Sequence, residues 1–236
     1  RPVARLLLLP ITLYFLIRRG PERRASRTYL TRVLGRPARL LDVARHIHCF
    51  ASTIIDRVYL LSERFRRFEM NRHGIDPLHE VMDRGQGVLL LGAHLGSFEA
   101  LRVLSLYRPS AKIRVVLDVG HNPAITSMLD ALNPELARTV IDAGQDGTAV
   151  VLAIKDALEE GALVTLLADR VHPGERRVSA QFLGDRAEFP ASPWLIASAL
   201  QVPVALCFGL FRGGNRYDLY FEVFAESLKI DRRRRQ

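Results

Sequence analysis

Short apolar runs and segments with helical periodicity alternate along most of this chain. The apolar runs predict core strands near residues 88–92, 113–118, 139–141, 163–168, 204–211 and 217–223. The segments between them predict helices near residues 97–107, 123–132, 148–160 and 193–200. Residues 42–68 repeat apolar side chains at three- and four-residue steps, which predicts one long amphipathic helix. This alternation favours an α/β fold with a mixed, mostly parallel sheet flanked by helices.

The N-terminal region joins an apolar segment to a basic one. Leu6 to Ile17 is largely apolar but shorter than the roughly 20 residues that cross a bilayer. From Arg18 to Arg39, eight arginines accompany a single acid, Glu22, a pattern that suits anionic lipid headgroups. We therefore expect residues 1–35 to form a membrane-associated helical extension, in the interface or as part of a span, and residues 36–236 to form the main domain. The alternative is that these arginines lie on a solvated face of a helix.

Composition narrows the function classes. The net charge is +9, and only three of the 34 basic residues are lysines. The planar guanidinium group of arginine suits phosphate and carboxylate ligands. The two cysteines are isolated, and neither a phosphate-binding loop, a dinucleotide fingerprint nor zinc-ligand spacing occurs, so we expect no metal and no redox cofactor. Nucleic-acid binding stays open as an alternative, but arginines beside an apolar segment favour a membrane surface.

A histidine follows the first apolar strand and has a carboxylate five positions later. His94 comes after Gly92 and Ala93, and Glu99 completes a His-x4-Glu motif. Neutral imidazole accepts a proton near pH 7, and a carboxylate fixes its tautomer. If a helix begins after His94, Glu99 folds back beneath the ring. We interpret His94 as a general base and Glu99 as its orienting group. The alternative is a hydrogen-bonded histidine at a strand end.

A second apolar strand, residues 163–168, delivers Asp169 and Arg170 at its end. If it runs parallel to the strand before His94, these polar residues emerge at the same edge of the sheet. Asp169 is then a candidate for holding an acceptor hydroxyl or an arginine, and Arg170 for pairing with a phosphate or carboxylate. The alternative is a surface ion pair. Arg212 closes the last long apolar strand and is a further candidate for substrate binding.

These motifs carry a resemblance to a known family. The strand followed by His-x4-Glu resembles the lysophospholipid acyltransferase superfamily, particularly its lipid A late acyltransferase branch. Later elements stand in a similar order: Asn122-Pro123, Ala168-Asp169-Arg170 and Phe182-Leu183-Gly184. The resemblance implies acyl transfer from a thioester to a hydroxyl, with His94 and Glu99 catalytic. It also aligns Arg138 loosely with a substrate-binding arginine, although a solvated residue is an equal alternative. Ser97, inside the motif, is a further candidate for substrate binding.

The chain also departs from the lipid A branch. The branch usually has Gln or His where Arg170 stands, and its Arg-Pro pair near residues 118–120 is missing. Residues 208–217 are similar to acyltransferases of aryl polyene and xanthomonadin-type pigment pathways. The resemblance therefore implies an O-acyltransferase at the cytoplasmic face of the bacterial inner membrane. Its expected partners are an anionic membrane surface, an acyl carrier protein or coenzyme A thioester as co-substrate, and a lipid or glycolipid-like acceptor.

Two alternatives to this interpretation stay open. One is a lipid A or ornithine-lipid type acyltransferase instead of a pigment-pathway enzyme. The other, from a different class, is a protein without acyltransferase activity, either an inactive scaffold at the membrane surface or the nucleic-acid-binding protein considered above.

Overall fold

The structure, a computed structural model, describes residues 6–104, 108, 110–121 and 123–229. The chain forms two compact units. The first combines the described N-terminal residues up to Tyr59 with Ser179–Ala187. The second contains the described residues from Leu60 to Val178 and from Glu188 onward.

Three helices make up most of the first unit: α1 (Leu8–Arg18), α2 (Gly20–Leu34) and α3 (Leu40–Leu61). Two histidines of α3 tie them together. His48 Nδ1 lies 3.3 Å from Thr12 Oγ1 of α1, and His46 Nδ1 lies 2.8 Å from Ser26 Oγ of α2. The ring of Tyr29 also stacks on His46, with 5.4 Å between centroids. Both histidines therefore hold neighbouring helices.

Helix α1 turns many of its apolar side chains outward. Leu9, Leu13 and Ile17 are each more than half exposed, whereas Leu8 is buried. Pro10 is tolerated because the third position of a helix needs no intrahelical N–H partner. None of the helices within the described residues combines the length and the apolar character needed to cross a bilayer.

The prediction of one helix over residues 42–68 is wrong at its C-terminal end. Helix α3 stops at Leu61, and Glu63 takes a left-handed backbone conformation with φ +57°. A 3₁₀ turn, Phe65–Arg67, follows, with Phe65 and Phe68 buried. The apolar spacing continues beyond Leu61 because these phenylalanines are buried in the core. They reach the core from a turn, so the spacing does not indicate a helix there.

Nine strands are described, seven of them in one sheet. Their bounds are β1 (Glu69–His73), β2 (Val88–Gly92), β3 (Ile113–Leu117), β4 (Val140–Asp142), β5 (Leu163–Leu167), β6 (Arg177–Phe182), β7 (Asp185–Pro190), β8 (Val204–Phe211) and β9 (Arg216–Ala225). The seven-stranded sheet has the order β1-β9-β8-β2-β5-β3-β4, and β6 pairs with β7 in a separate ribbon. Only the β8–β9 pair is antiparallel within the described sheet. The predicted mixed, mostly parallel sheet is confirmed.

Helices pack against the central strands of the sheet. The remaining helices are α4 (Ile75–Asp83), α5 (Pro123–Leu132), α6 (Pro134–Ala137), α7 (Gly147–Glu159), α8 (Ser192–Leu200) and the 3₁₀ helix Phe98–Val103. Leu89 and Leu91 of β2 pack with Ile154 of α7 and Ala197 of α8. All five residues of β2 are buried. This burial explains why β2 is a continuous apolar run without alternation.

Several predicted elements have different bounds. The helix predicted over residues 97–107 is a 3₁₀ helix at Phe98–Val103, and residues 105–107 lie outside the described part of the chain. Asn122 and residues 1–5 and 230–236 also lie outside it. Strand β1, helix α4 and the β6–β7 ribbon were not predicted.

Candidate active site

The two polar motifs meet because β2 and β5 are parallel neighbours. Gly92 of β2 is in register with Leu167 of β5. His94 and Asp169 each lie two residues beyond these positions, at the carboxyl ends of their strands. This edge of an open α/β sheet is where ligands usually bind.

Asp169 holds His94 through both carboxylate oxygens. Its Oδ1 lies 2.9 Å from His94 Nδ1, and its Oδ2 accepts the backbone N–H of His94 at 3.0 Å. Burial of the carboxyl opposes ionisation, but the hydrogen bonds from the ring and backbone of His94 outweigh it. The pKa of Asp169 therefore lies below its ordinary value. An ionised carboxylate accepts the proton of Nδ1, which leaves Nε2 with a lone pair.

The loop after His94 is held against β8 by two glycines. Ser97 N–H donates to Gly209 O at 2.7 Å, and Gly96 and Gly209 form an isolated parallel bridge. Gly96 has φ +82°, and a Cβ atom there would lie 2.1 Å from Gly209 O. No other residue type fits this approach without moving the backbone. The glycine pair thus fixes where the chain turns after His94.

Glu99 contacts Ser97. The Ser97 hydroxyl donates to Glu99 Oε2 at 3.0 Å, and Ser97 is only 2% exposed. Asp169 thus accepts from the imidazole ring, and Glu99 accepts from the loop serine. The sequence predicts Glu99 beneath the ring; in the structure Asp169 accepts the hydrogen bond from Nδ1.

The three candidate arginines lie in different places. Arg170 is exposed beside Asp169 and contributes to lowering its pKa. Arg212 follows β8 at the same edge, but its guanidinium donates to Asp218 Oδ2 at 2.6 Å and to Tyr220 Oη at 3.2 Å. Arg138 precedes β4, which runs parallel to β3, so it lies at the opposite edge of the sheet. The structure does not bring Arg138 to His94.

A second histidine at this edge was not singled out from the sequence. His121, after β3, places Nδ1 2.8 Å from Asp118 Oδ2 and donates its backbone N–H to Asp118 Oδ1 at 3.0 Å. That backbone hydrogen bond is the main reason why the pKa of Asp118 is lowered. The His121 side chain is 85% exposed, against 40% for His94. An Asp-x-x-His pattern at a predicted strand end was the available signal.

The geometry suits proton transfer. His94 has its tautomer set by a carboxylate, one imidazole nitrogen directed away from that carboxylate, and an exposed ring. This is the arrangement expected of a general base. Among the described residues, no group of three or more His, Cys, Asp or Glu could hold a metal ion.

Comparison with known proteins identifies the family. The model of the bacterial lipid A biosynthesis acyltransferases matches residues 50–229, well over half of the chain. This span includes His94, Glu99 and Asp169. No individual curated protein matches the chain. The match assigns lipid-directed acyl transfer to the chain, in agreement with the chemistry of its site. The chain thus belongs to the bacterial lipid A biosynthesis acyltransferase family.

Proposed function

We propose that this protein transfers an acyl group from a thioester to a hydroxyl of a lipid or glycolipid-like acceptor, with His94 as general base. The observation that carries the proposal is the hydrogen bond between His94 Nδ1 and Asp169, since it reserves Nε2 for the acceptor hydroxyl. As the oxygen attacks the thioester carbonyl, Nε2 takes the hydroxyl proton. The tetrahedral intermediate then expels the thiolate, which leaves as the thiol after protonation by the imidazolium.

Asp169 and Glu99 have separate roles in this mechanism. Asp169 sets the tautomer of His94 and stabilises the imidazolium that forms during attack, because its carboxylate is close to Nδ1. Glu99 positions the loop after His94 through Ser97. Asp169 is thus proposed as an orienting group of His94 in addition to Glu99, whose hydrogen bond with Ser97 holds the same loop. Backbone N–H groups or Arg170 hold the oxyanion.

The basic surface suits acidic partners. Carrier proteins are typically acidic, and a chain of net charge +9 attracts them over a long range. We therefore propose an acyl carrier protein as the donor, in preference to coenzyme A. The exposed apolar side chains of α1, followed by the arginines of α2, support contact with an anionic membrane at the cytoplasmic face of the bacterial inner membrane.

The identity of the acceptor is proposed from the resemblance of this chain to other acyltransferases. Residues 208–217 support a pigment-pathway acceptor of the aryl polyene type. The family match supports a lipid A type acceptor as the second candidate. No metal or redox cofactor takes part in the proposed reaction, and the acyl thioester is its only co-substrate.

One reaction tests the proposal. Purified protein is incubated with an acyl-carrier thioester and a total bacterial lipid extract. We expect free thiol to appear together with a lipid whose mass has increased by one acyl group. Thiol release without an acylated lipid would mean hydrolysis, and absence of both products would favour the inactive scaffold. Treatment of the product with mild base separates an ester, which is cleaved, from an amide, which is not.

A further inference from the structure

The β6–β7 ribbon ends in an exposed apolar turn. Phe182 is 52% exposed and Leu183 is 38% exposed. The ribbon is separate from the seven-stranded sheet, and its side chains are mostly exposed along both strands. A two-stranded ribbon with little burial is marginally stable by itself. The tip of the ribbon thus presents large apolar surface to the solvent.

The turn residue Leu183 is also unfavourable for the backbone. Leu183 has φ +51° and Gly184 has φ +78°, so both central residues of the turn lie in the left-handed region. Two-residue hairpins of this kind prefer Asn-Gly, because asparagine adopts positive φ more readily than leucine. The chain keeps an exposed leucine where a polar residue would fit the backbone better.

An ion pair joins the turn to α2, the basic helix of the same unit. Arg32, in the last turn of α2, contacts Asp185 Oδ2 at 2.9 Å. The neighbouring Val33 and Leu34 of α2 are themselves more than 40% exposed. Exposed apolar side chains beside an arginine-rich helix are complementary to an anionic bilayer, whose interface takes up apolar groups while its headgroups pair with arginine.

We propose that the turn of the β6–β7 ribbon is a second membrane contact, with Phe182 and Leu183 inserting into the interface of an anionic bilayer. This contact adds to the membrane association proposed above for α1 and α2. Insertion of the side chains removes apolar surface from water, and the ion pair of Arg32 with Asp185 keeps the ribbon next to α2.

Fluorescence of a tryptophan at the turn tests the proposal. The chain has one tryptophan, Trp194, so the variant Trp194→Phe has no tryptophan fluorescence of its own. In the full chain, Phe182→Trp should shift its emission to the blue on vesicles that contain phosphatidylglycerol, and brominated lipid should quench it. The matched control is Val178→Trp, which is 55% exposed on the same ribbon but away from the turn. Its emission should change little.

The variant Leu183→Asn separates a membrane role from a structural one. Asparagine suits positive φ, so the thermal midpoint should stay the same or rise. Partitioning onto anionic vesicles should fall by about tenfold, the effect of losing part of one buried leucine side chain. Val178→Thr should partition like the unchanged chain.

Three outcomes would overturn the proposal. One is an emission of Phe182→Trp that does not respond to vesicles. Another is a blue shift that rises with protein concentration in their absence, which would indicate pairing of two chains. The third is a blue shift on addition of acyl carrier protein alone. Acyl transfer to a detergent-dispersed acceptor is measured on the same variants, so a failure of the membrane contact and a failure of the acyltransferase function are told apart.

Discussion

Removal of Asp169 should slow acyl transfer without preventing folding. Asp169→Ala removes the acceptor of the Nδ1–H of His94, a hydrogen bond of 2.9 Å. A hydrogen bond to a charged group contributes about 1.5–3 kcal/mol. The exposed fractions of His94 and Asp169, 40% and 27%, favour the lower half of this range, because solvent screens the pair. Since about 1.4 kcal/mol corresponds to a tenfold change in rate, we expect kcat to fall roughly 10- to 40-fold.

Asp169→Asn should be at least as harmful as Asp169→Ala. The carboxylate accepts from both the ring and the backbone of His94, whereas an amide has only one oxygen. If that oxygen faces the backbone, the amide NH₂ donates to Nδ1 and the proton of the imidazole moves to Nε2. The base is then blocked. If Asp169 had only a structural role, Asp169→Asn would be less harmful than Asp169→Ala, because asparagine fills the space of aspartate.

The assay measures kcat and KM for thioester-dependent acylation of a lipid acceptor by both variants. Circular dichroism and thermal melting check that the variants fold, and ¹⁵N NMR of labelled histidine reports the tautomer. The reasoning would be refuted by a variant Asp169→Ala with unchanged kcat, or by Asp169→Asn that is clearly more active than Asp169→Ala.

Four further outcomes are expected. Glu99→Ala should lower activity by no more than His94→Ala does, because Glu99 supports the base and does not itself take the proton; the same assay measures both. The pKa of Asp169 is below its ordinary value of 3.8, so its ionised form stabilises the fold above about pH 4 and this contribution is lost as the pH falls further. Thermal melts of Asp169→Asn should therefore depend less on pH between about 4 and 2. The double variant Leu9→Asn, Leu13→Asn should float less with anionic liposomes while its far-ultraviolet circular dichroism stays unchanged. Finally, kcat/KM with a carrier-protein thioester should fall more steeply with salt than kcat/KM with the coenzyme A thioester, because the Debye length shrinks from about 10 Å at 0.1 M to 3 Å at 1 M; equal salt dependence would count against electrostatic steering.

Strands β2 and β5 at the centre of the sheet could be predicted because they are buried on both faces. Val88–Gly92 is apolar throughout and Leu163–Leu167 is apolar except for Thr165, which gives a signal in the sequence alone. Strand β1, Glu69–His73, gave no such signal because it is a mostly exposed, polar strand at one end of the sheet. The β6–β7 ribbon was missed for the same reason, since neither strand alternates between a buried and an exposed face.

The direction of the strands predicts which residues lie at the edge of the sheet, but not which of them form hydrogen bonds with each other. Parallel pairing of β2 with β5 brings His94 and Asp169 to one edge, as the sequence led us to expect. Which carboxylate accepts from the imidazole depends on the path of the chain after His94. That path is set by the contact of Gly96 with Gly209, residues 113 positions apart in the sequence. A spacing of five residues between His94 and Glu99 carries no information on such a contact.

The most direct test of the account compares two histidines held in the same way. His94 and His121 each have Nδ1 and the backbone N–H bound by one aspartate at this edge of the sheet. We expect His94→Ala to lower thioester-dependent acylation of the lipid acceptor by roughly 10²–10⁴-fold, the range for loss of a general base, while the protein stays folded. His121→Ala should keep nearly the original rate. Full activity in folded His94→Ala protein would contradict the account.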